Sequence, residues 1–414
     1  MGMYRFKPPM SGRMGTLYTL ASIKDAVLVE YGCMGHMMYG RVFLTQAGVT
    51  DGCQLYSTHI DETDISLGST ARLERVVAEV VQKENPRAIF LLPSSVPTII
   101  GTDLQAIAYE MQDSYPTIPI LPFGYGGFDI EGNRGVQEAL HLLVQKLPQK
   151  REKTEKPTFN IIGSCADLFR FQEDSAEIVR LMKGAFDMEV LCTLTSNTTV
   201  GQIEDMSGAH INLVIRREGE KAAKRLQKDF ATPYYVGRPY GVEGTTKFLE
   251  AIGEILNVVP SQAFIKTEIA EATRQIDPTL MMFRHMIHSH SDEIALSAGG
   301  HADVVSGIRA FGCGEFHLPA GDFWCDCSTM SSEEIPYYSE KEWSETVKEK
   351  DGLLMASGEV LAWAHKSKDL QIANPDSRWR VNPYGAPFVG FRGAVHLVDL
   401  WLNTALEQEE SNKK

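Results

Sequence analysis

The chain has 414 residues, 43 % of them hydrophobic and 23 % charged, with a formal net charge of -14. That length predicts two or three domains, and the composition is that of a globular protein rather than a disordered one. The acidic balance argues against nucleic acid or an anionic membrane as partner, since either needs a broad basic face. The start, MGMYRFKPPM, shows no apolar run after a basic head, and no stretch of about 18 apolar residues follows, so neither a secretory leader nor a membrane span is expected. Seven cysteines, an odd number scattered along the chain, fit reduced thiols in the cytoplasm better than a disulfide framework.

Taken in chain order, short apolar runs alternate with amphipathic ones. AVLVEYG (26–32), AIFLLPSS (88–95), IPILPFG (118–124), FNIIGSC (159–165), MEVLCTL (188–194), INLVIRR (211–217), PYYVGR (233–238) and GLLMASG (352–358) read as buried parallel strands. ARLERVVAEVVQKEN, NRGVQEALHLLVQKL, DSAEIVRLMKGAF, EGEKAAKRLQKDF, TTKFLEAIGEIL and GAVHLVDLWLNTALE read as helices. This order predicts an α/β protein of parallel sheets covered on both faces. The charged stretch QKLPQKREKTEKPT (145–158) reads as a linker, and a weaker seam lies near 257–264. Three units are therefore expected: 1–150, 157–260 and 261–414.

Parallel sheets bind ligands at the carboxyl ends of their strands, so the loops there supply the candidates. Cys33 and His36 in GCMGH could ligate a metal, or could be packed side chains at the bottom of a cleft. Ser95, Gly124, Gly126, Gly127, Ser164, Cys165 and Arg238 are candidates to line a cleft. FGCGEFHLPAGDFWCDC (311–327) offers Cys313, His317, Cys325 and Cys327 as a weaker metal-binding group, with loop thiols as the alternative. His285, His288 and His290 read as a polar helix surface rather than a site. Asp61, Glu62 and Asp64 read as helix capping. Neither GxGxxG nor GxxxxGK[ST] is present, so no nucleotide is expected to bind this chain.

Several segments, in order, resemble the nitrogenase component 1 family, which comprises nitrogenase α and β subunits, cofactor-assembly scaffolds, and light-independent protochlorophyllide and chlorophyllide reductases. They are GTLYTLASIKDAVLVEYGCMGH, HIDETDISLGS, IFLLPSSVPTIIGTDLQAIA, FGYGGFDIEGNRG, PYYVGRPYGVEGTTKFLEAIGEI and NPYGAPFVGFRGAVHLVDLWLN. The resemblance implies three Rossmann-like domains around a central cleft. It also implies an iron–sulfur cluster at a subunit interface, and a partner that is a homologous subunit in a homodimer, heterodimer or tetramer. A separate ATP-dependent iron–sulfur reductase would supply electrons for reducing a small molecule or a tetrapyrrole. The three positions where the family carries cluster cysteines hold Met10, His36 and Ser95 here, with Cys33 displaced by three residues within the same loop. The ligands of the nitrogenase active-site cofactor have no counterpart near Ile215 or Phe388. The resemblance thus points to a nitrogenase-like reductase subunit, with Cys33 able to complete a cluster held mostly by a partner. The alternative is a non-catalytic scaffold or structural subunit without its own cluster.

Overall fold

The computed structural model describes residues 10–49, 51–68, 70–125, 131–289, 294–365, 368–374 and 385–411. The first segment runs α1 (Gly12–Leu20), β1 (Ala26–Tyr31), α2 (Met34–Gln46), β2 (Gln54–Ser57), α3 (Glu62–Leu67), α4 (Ala71–Glu84), β3 (Ala88–Pro93), α5 (Ser95–Ile99), α6 (Leu104–Ser114), β4 (Ile120–Pro122) and α7 (Gly132–Lys146). The second runs β5 (Thr158–Ser164), α8 (Phe171–Phe186), β6 (Glu189–Thr195), α9 (Val200–Glu204), β7 (Ile211–Val214), α10 (Glu220–Phe230), β8 (Tyr234–Val236) and α11 (Val242–Leu256). The third runs α12 (Gln262–Ser289), β9 (Leu296–Gly300), α13 (Ala302–Arg309), a π-helical turn (Ala310–Glu315) and β10 (Ala320–Cys325), then α14 (Glu340–Lys348), β11 (Leu353–Ser357), α15 (Gly358–Leu361), β12 (Lys368–Ala373) and α16 (Gly390–Ser411).

Each segment contributes one four-stranded parallel sheet: β2-β1-β3-β4, β6-β5-β7-β8 and β10-β9-β11-β12. The three orders are the same. In each sheet the chain reverses direction of travel between its first and third strands, and that switch point is where an open parallel sheet leaves a crevice. All eight strands expected from the apolar runs are present; β2, β9, β10 and β12 were not expected. By spatial clustering the chain forms two compact units. Among the described residues, one holds Met10–Asp167 with Val190–Tyr234, and the other holds Leu168–Glu189 with Tyr235 onward.

In the first unit β1 and β3 are buried along their whole length. Alternation sends Val27, Val29, Tyr31, Ile89 and Leu91 into one core with Leu73, Val77 and Val80 of α4 and Leu104, Ala108 and Met111 of α6. The α4 residues recur at i, i+4 and i+7, one face of a helix; burying them contributes on the order of 5 kcal/mol. Glu30 points to the opposite face and is met there by Arg13 of α1. The charged 145–158 stretch carries neither helix nor strand from Pro148 to Pro157, but it is fastened down. Gln149 N–H donates to Glu204 O (2.8 Å), Arg151 pairs with Asp205, and Lys153 Nζ donates to Ser207 O, Ala209 O and Thr232 Oγ1.

In the second unit the π-turn puts Glu315 at the start of α11, where its Oε1 accepts from the N–H groups of Val242 (2.9 Å) and Glu243 (3.1 Å). These N–H groups have no partner within the helix, and a carboxylate there also meets the positive end of the helix dipole. Removing it with Glu315→Ala is expected to cost about 1–2 kcal/mol in urea unfolding, and Glu315→Gln less, because an amide oxygen can still accept.

Candidate functional site

At the switch point of the first sheet, Tyr31 and Pro93 are paired and the loops after β1 and β3 leave side by side. Ser94 N–H donates to Tyr31 O (2.9 Å), and Gly32 N–H to Thr58 Oγ1 (3.0 Å). Residue 32 has to be glycine: a Cβ there would lie 2.0 Å from Ser94 Oγ. Cys33 is the N-cap of α2, in extended conformation, and its thiol makes no capping hydrogen bond. It is half-buried against the core of Val27, Val29 and Tyr31. His36, one turn in, is also half-buried, and its Nδ1 is buried without a partner. Burial, and then the Arg13 guanidinium, push its pKa down, which leaves the imidazole neutral at pH 7. Arg13 Nε donates to Glu30 Oε1 (2.9 Å), deep in the sheet. Burial outweighs Arg13 and raises the Glu30 pKa.

The other two family cluster positions lie on other elements of the same unit. Met10 packs against Gly132 at the start of α7, and half-buried Ser95 opens α5. Of Met10, Cys33, His36 and Ser95, only Cys33 offers a thiol. Among the described residues no group of three His, Cys, Asp or Glu donors converges here. The residues present do not fit an iron–sulfur cluster held by this chain.

The second sheet's switch point is sealed. Ser164 and Cys165, expected to line a cleft, are both fully buried, and burial pushes the Cys165 thiol up to about 12. Arg216, which follows β7, fills this place. Its aliphatic stem lies where a Cβ of Gly163 would sit, and its guanidinium bonds Asp167 Oδ1 (2.7 Å) and both oxygens of Glu218 (2.8 and 3.1 Å). The loop after β4 exposes Gly124; Gly126 and Gly127 lie outside the described residues.

In the other unit the side chain of Arg238, expected to line a cleft, is buried. It is 4 % exposed, paired with Asp174 and lying over the ring of Tyr240. Asp174 also accepts from Phe388 N–H (2.8 Å), which fixes the closing loop on α8. Phe388 stacks on His396 of α16 (5.7 Å between centroids). Burial and the charge of Arg170 lower the His396 pKa. The folded state therefore binds this proton less readily than the unfolded chain, so stability is lost as pH falls below about 6.5. His396→Phe keeps the stack and removes the titration. Between pH 7.5 and 5.5 it is expected to lose less stability than the parent, by at most about 1.4 kcal/mol per pH unit, as read by urea midpoints.

The thiol-rich stretch also fails to assemble. Cys313 sits half-buried in the π-turn, and His317 has a left-handed backbone (φ 61°). Buried Cys325 donates its thiol to Cys327 O (3.2 Å), while Cys327 Sγ lies 3.2 Å from Thr329 Oγ1. No three of these four bring ligand atoms within 4.8 Å of one another, so the folded loop does not gather them into a metal site. Asp61 does cap α3, in a capping box with Asp64. The side chains of His285 and His288, and all of His290, lie outside the described residues.

A model of the family described as nitrogenase component 1 type oxidoreductase matches residues 11–312. The chain belongs to that family. It is 24 % identical over 303 residues to the nitrogenase iron-molybdenum cofactor biosynthesis protein NifE of Clostridium pasteurianum, covering 72 % of this chain and 64 % of that protein. It is 27 % identical over 252 residues to a light-independent protochlorophyllide reductase subunit of Gloeothece citriformis, covering 59 % of this chain and 49 % of that protein. The chain thus spans about half to two thirds of the length of these curated relatives. A solved structure described as nitrogenase Cp1 at pH 6.5 superposes with a TM-score of 0.77 at 17 % identity, over 99 % of this chain and 95 % of that one. The component 1 fold is therefore present, with its three parallel sheets. No described helix is long and apolar enough to cross a membrane.

Proposed function

We propose that this chain is a subunit of a nitrogenase-like reductase complex. It pairs with a homologous component-1-type subunit and receives electrons from a separate ATP-dependent iron–sulfur reductase, in the service of reducing a small molecule or a tetrapyrrole. In this reading the chain has Rossmann-like domains at 1–150, 157–260 and 261–414, which the three parallel sheets support. The observation that supports the reading is the first switch point, where Cys33, His36 and Ser95 are half-buried beside α2, whose Met34, Met38, Tyr39 and Val42 are exposed. Arg13 and Glu30 hold β1 and α1 together beneath it. The absence of GxxxxGK[ST] from the sequence suits an ATP site on the reductase instead.

The second reading is a non-catalytic assembly scaffold or structural subunit, favoured by the replacement of cluster thiols at Met10, His36 and Ser95. Anaerobic purification with iron and acid-labile sulfide analysis, joined to turnover assays, separates the two. Reduction that requires the chain, the reductase and ATP together supports the first reading. A complex that holds and hands on a preformed cofactor, yet accepts no electrons, supports the second.

A further inference from the structure

The closing loop that leads into α16, residues 385–389, is tied down at several points. Gly385 N–H donates to Glu173 Oε1 (3.2 Å), Phe388 N–H to Asp174 Oδ1 (2.8 Å) and Arg170 Nη1 to Ala386 O (3.0 Å). At the loop's end Gly390 N–H donates to Pro239 O (2.6 Å). Phe388 is buried and stacks on Phe169 (5.9 Å between centroids) and on His396 (5.7 Å, rings 12° apart). The Arg170 guanidinium also lies over the Phe388 ring, 5.1 Å from its centroid. His396 Nε2 is buried and has no hydrogen-bond partner. Two charges act on this imidazole, first Arg170 at the start of α8 and then Asp399 on α16 itself. The other carboxylates of α8 here are already engaged: Glu173 with Gly385, Asp174 with Phe388 N–H and Arg238, Glu177 with Arg180. Loop residues 385–389 carry no charge, and α11 and α12, which also pack on α16, bring none that acts on the ring. A neutral imidazole suits this place, and a second cation beside Arg170 does not.

We propose that residues 385–389 form a latch that protonation of His396 releases, so that mild acid uncovers the buried Asp174–Arg238 pair. With the loop closed, a protonated ring has no acceptor for its Nε2–H and sits beside a guanidinium. With the loop open, the ring meets water and its ordinary pKa of about 6.5 returns. The open form therefore binds the proton more tightly, and its population rises as pH falls below about 6.5. One proton limits that rise to about tenfold per pH unit. The release is local. Further along α16, Leu397, Trp401 and Ala405 are fully buried, and Trp401 Nε1 donates to Met355 Sδ of β11 (3.2 Å), so the helix stays docked while the loop leaves.

The test is amide hydrogen exchange of the purified full chain between pH 7.5 and 5.5, corrected for the intrinsic exchange rate. The amides of Gly385, Phe388 and Gly390 report the latch, and those of β11, buried in the same unit, report wider unfolding. Protection of the loop amides is expected to fall about three- to tenfold more than that of β11 as the pH is lowered. His396→Phe keeps a stacked ring without the titration and should hold the loop protection level across the range. His396→Gln should expose the loop more at every pH, again with no acid-dependent fall. An acid-dependent opening that survives in both variants would overturn the proposal and make a carboxylate such as Asp174 the trigger. Loop protection that does not change with pH in the parent overturns it, as does a fall shared equally by β11.

Discussion

Arg216→Met is expected to destabilise the chain by about 3–5 kcal/mol, enough to deplete folded protein in a marginally stable domain. The guanidinium is 1 % exposed and bonds three carboxylate oxygens, those of Asp167 and the fork of Glu218. Burial alone would disfavour its charge, but the two carboxylates hold its pKa well above the usual arginine value. Methionine keeps the stem against Gly163 and removes only the charge, so two buried carboxylates lose their counterion. Because protonation of either acid relieves that loss, the deficit in urea unfolding should be smaller near pH 5 than at pH 7.5. Arg216→Lys should recover part of the stability, since one ammonium cannot reproduce the forked geometry. A loss below about 1 kcal/mol for Arg216→Met would mean that the cluster is not what holds this switch point closed.

Gly135→Ala is expected to cost about 3 kcal/mol, at the upper end of overpacking effects. The helices α1 and α7 cross with backbone against backbone: a Cβ on Gly135 would lie 1.9 Å from Gly12 O, and one on Gly15 would lie 2.0 Å from Gly132 O. Neither carbonyl can move as a flexible side chain would, so a methyl group pushes the helices apart. The damage extends to function, because α1 carries Arg13 to Glu30 beneath the Cys33 loop. Gly35→Ala in α2 is the control. Nothing lies within 4 Å of its Cβ position, and alanine should be neutral or add up to about 1 kcal/mol by helix propensity. Equal effects at the two positions would contradict the packing account.

The strands most plainly legible in the sequence are those buried along their whole length, where β-branched and aliphatic residues run unbroken, as in AVLVEY and AIFLLP; the edge strands β4, β6 and β8 were also read, from shorter apolar runs. The unexpected ones lack that signal. β2, β10 and β12 are edge strands with polar residues in QLYS, AGDFWC and KDLQIA, and β10 also slips register between Ala320 and Phe323. Central β9, LSAGG, is built of small residues because Trp324 lies where a Cβ of Gly299 would be. The site was legible as loops at strand ends but not as chemistry. Spacing gave Ser164, Cys165 and Arg238 no burial, and only the fold shows that Arg216 and Asp174 occupy those places. A signal for the buried ion pairs did exist, since a lone charge inside or just after an apolar strand, Glu30 in AVLVEY or Arg216 after INLVI, needs a partner in the fold. The four ligand-type residues of 311–327 show the reverse error: nearness in sequence did not become nearness in space.

The central claim is that the chain serves a complex fed by an ATP-dependent reductase. Its most direct test is anaerobic stopped-flow mixing of the purified complex with the dithionite-free, reduced reductase, following oxidation of the reductase's iron–sulfur chromophore. The account predicts oxidation that requires both MgATP and this chain, and that slows when Met38→Glu disrupts the α2 face. Oxidation at the same rate without ATP or without the chain, or none under any condition, would contradict it.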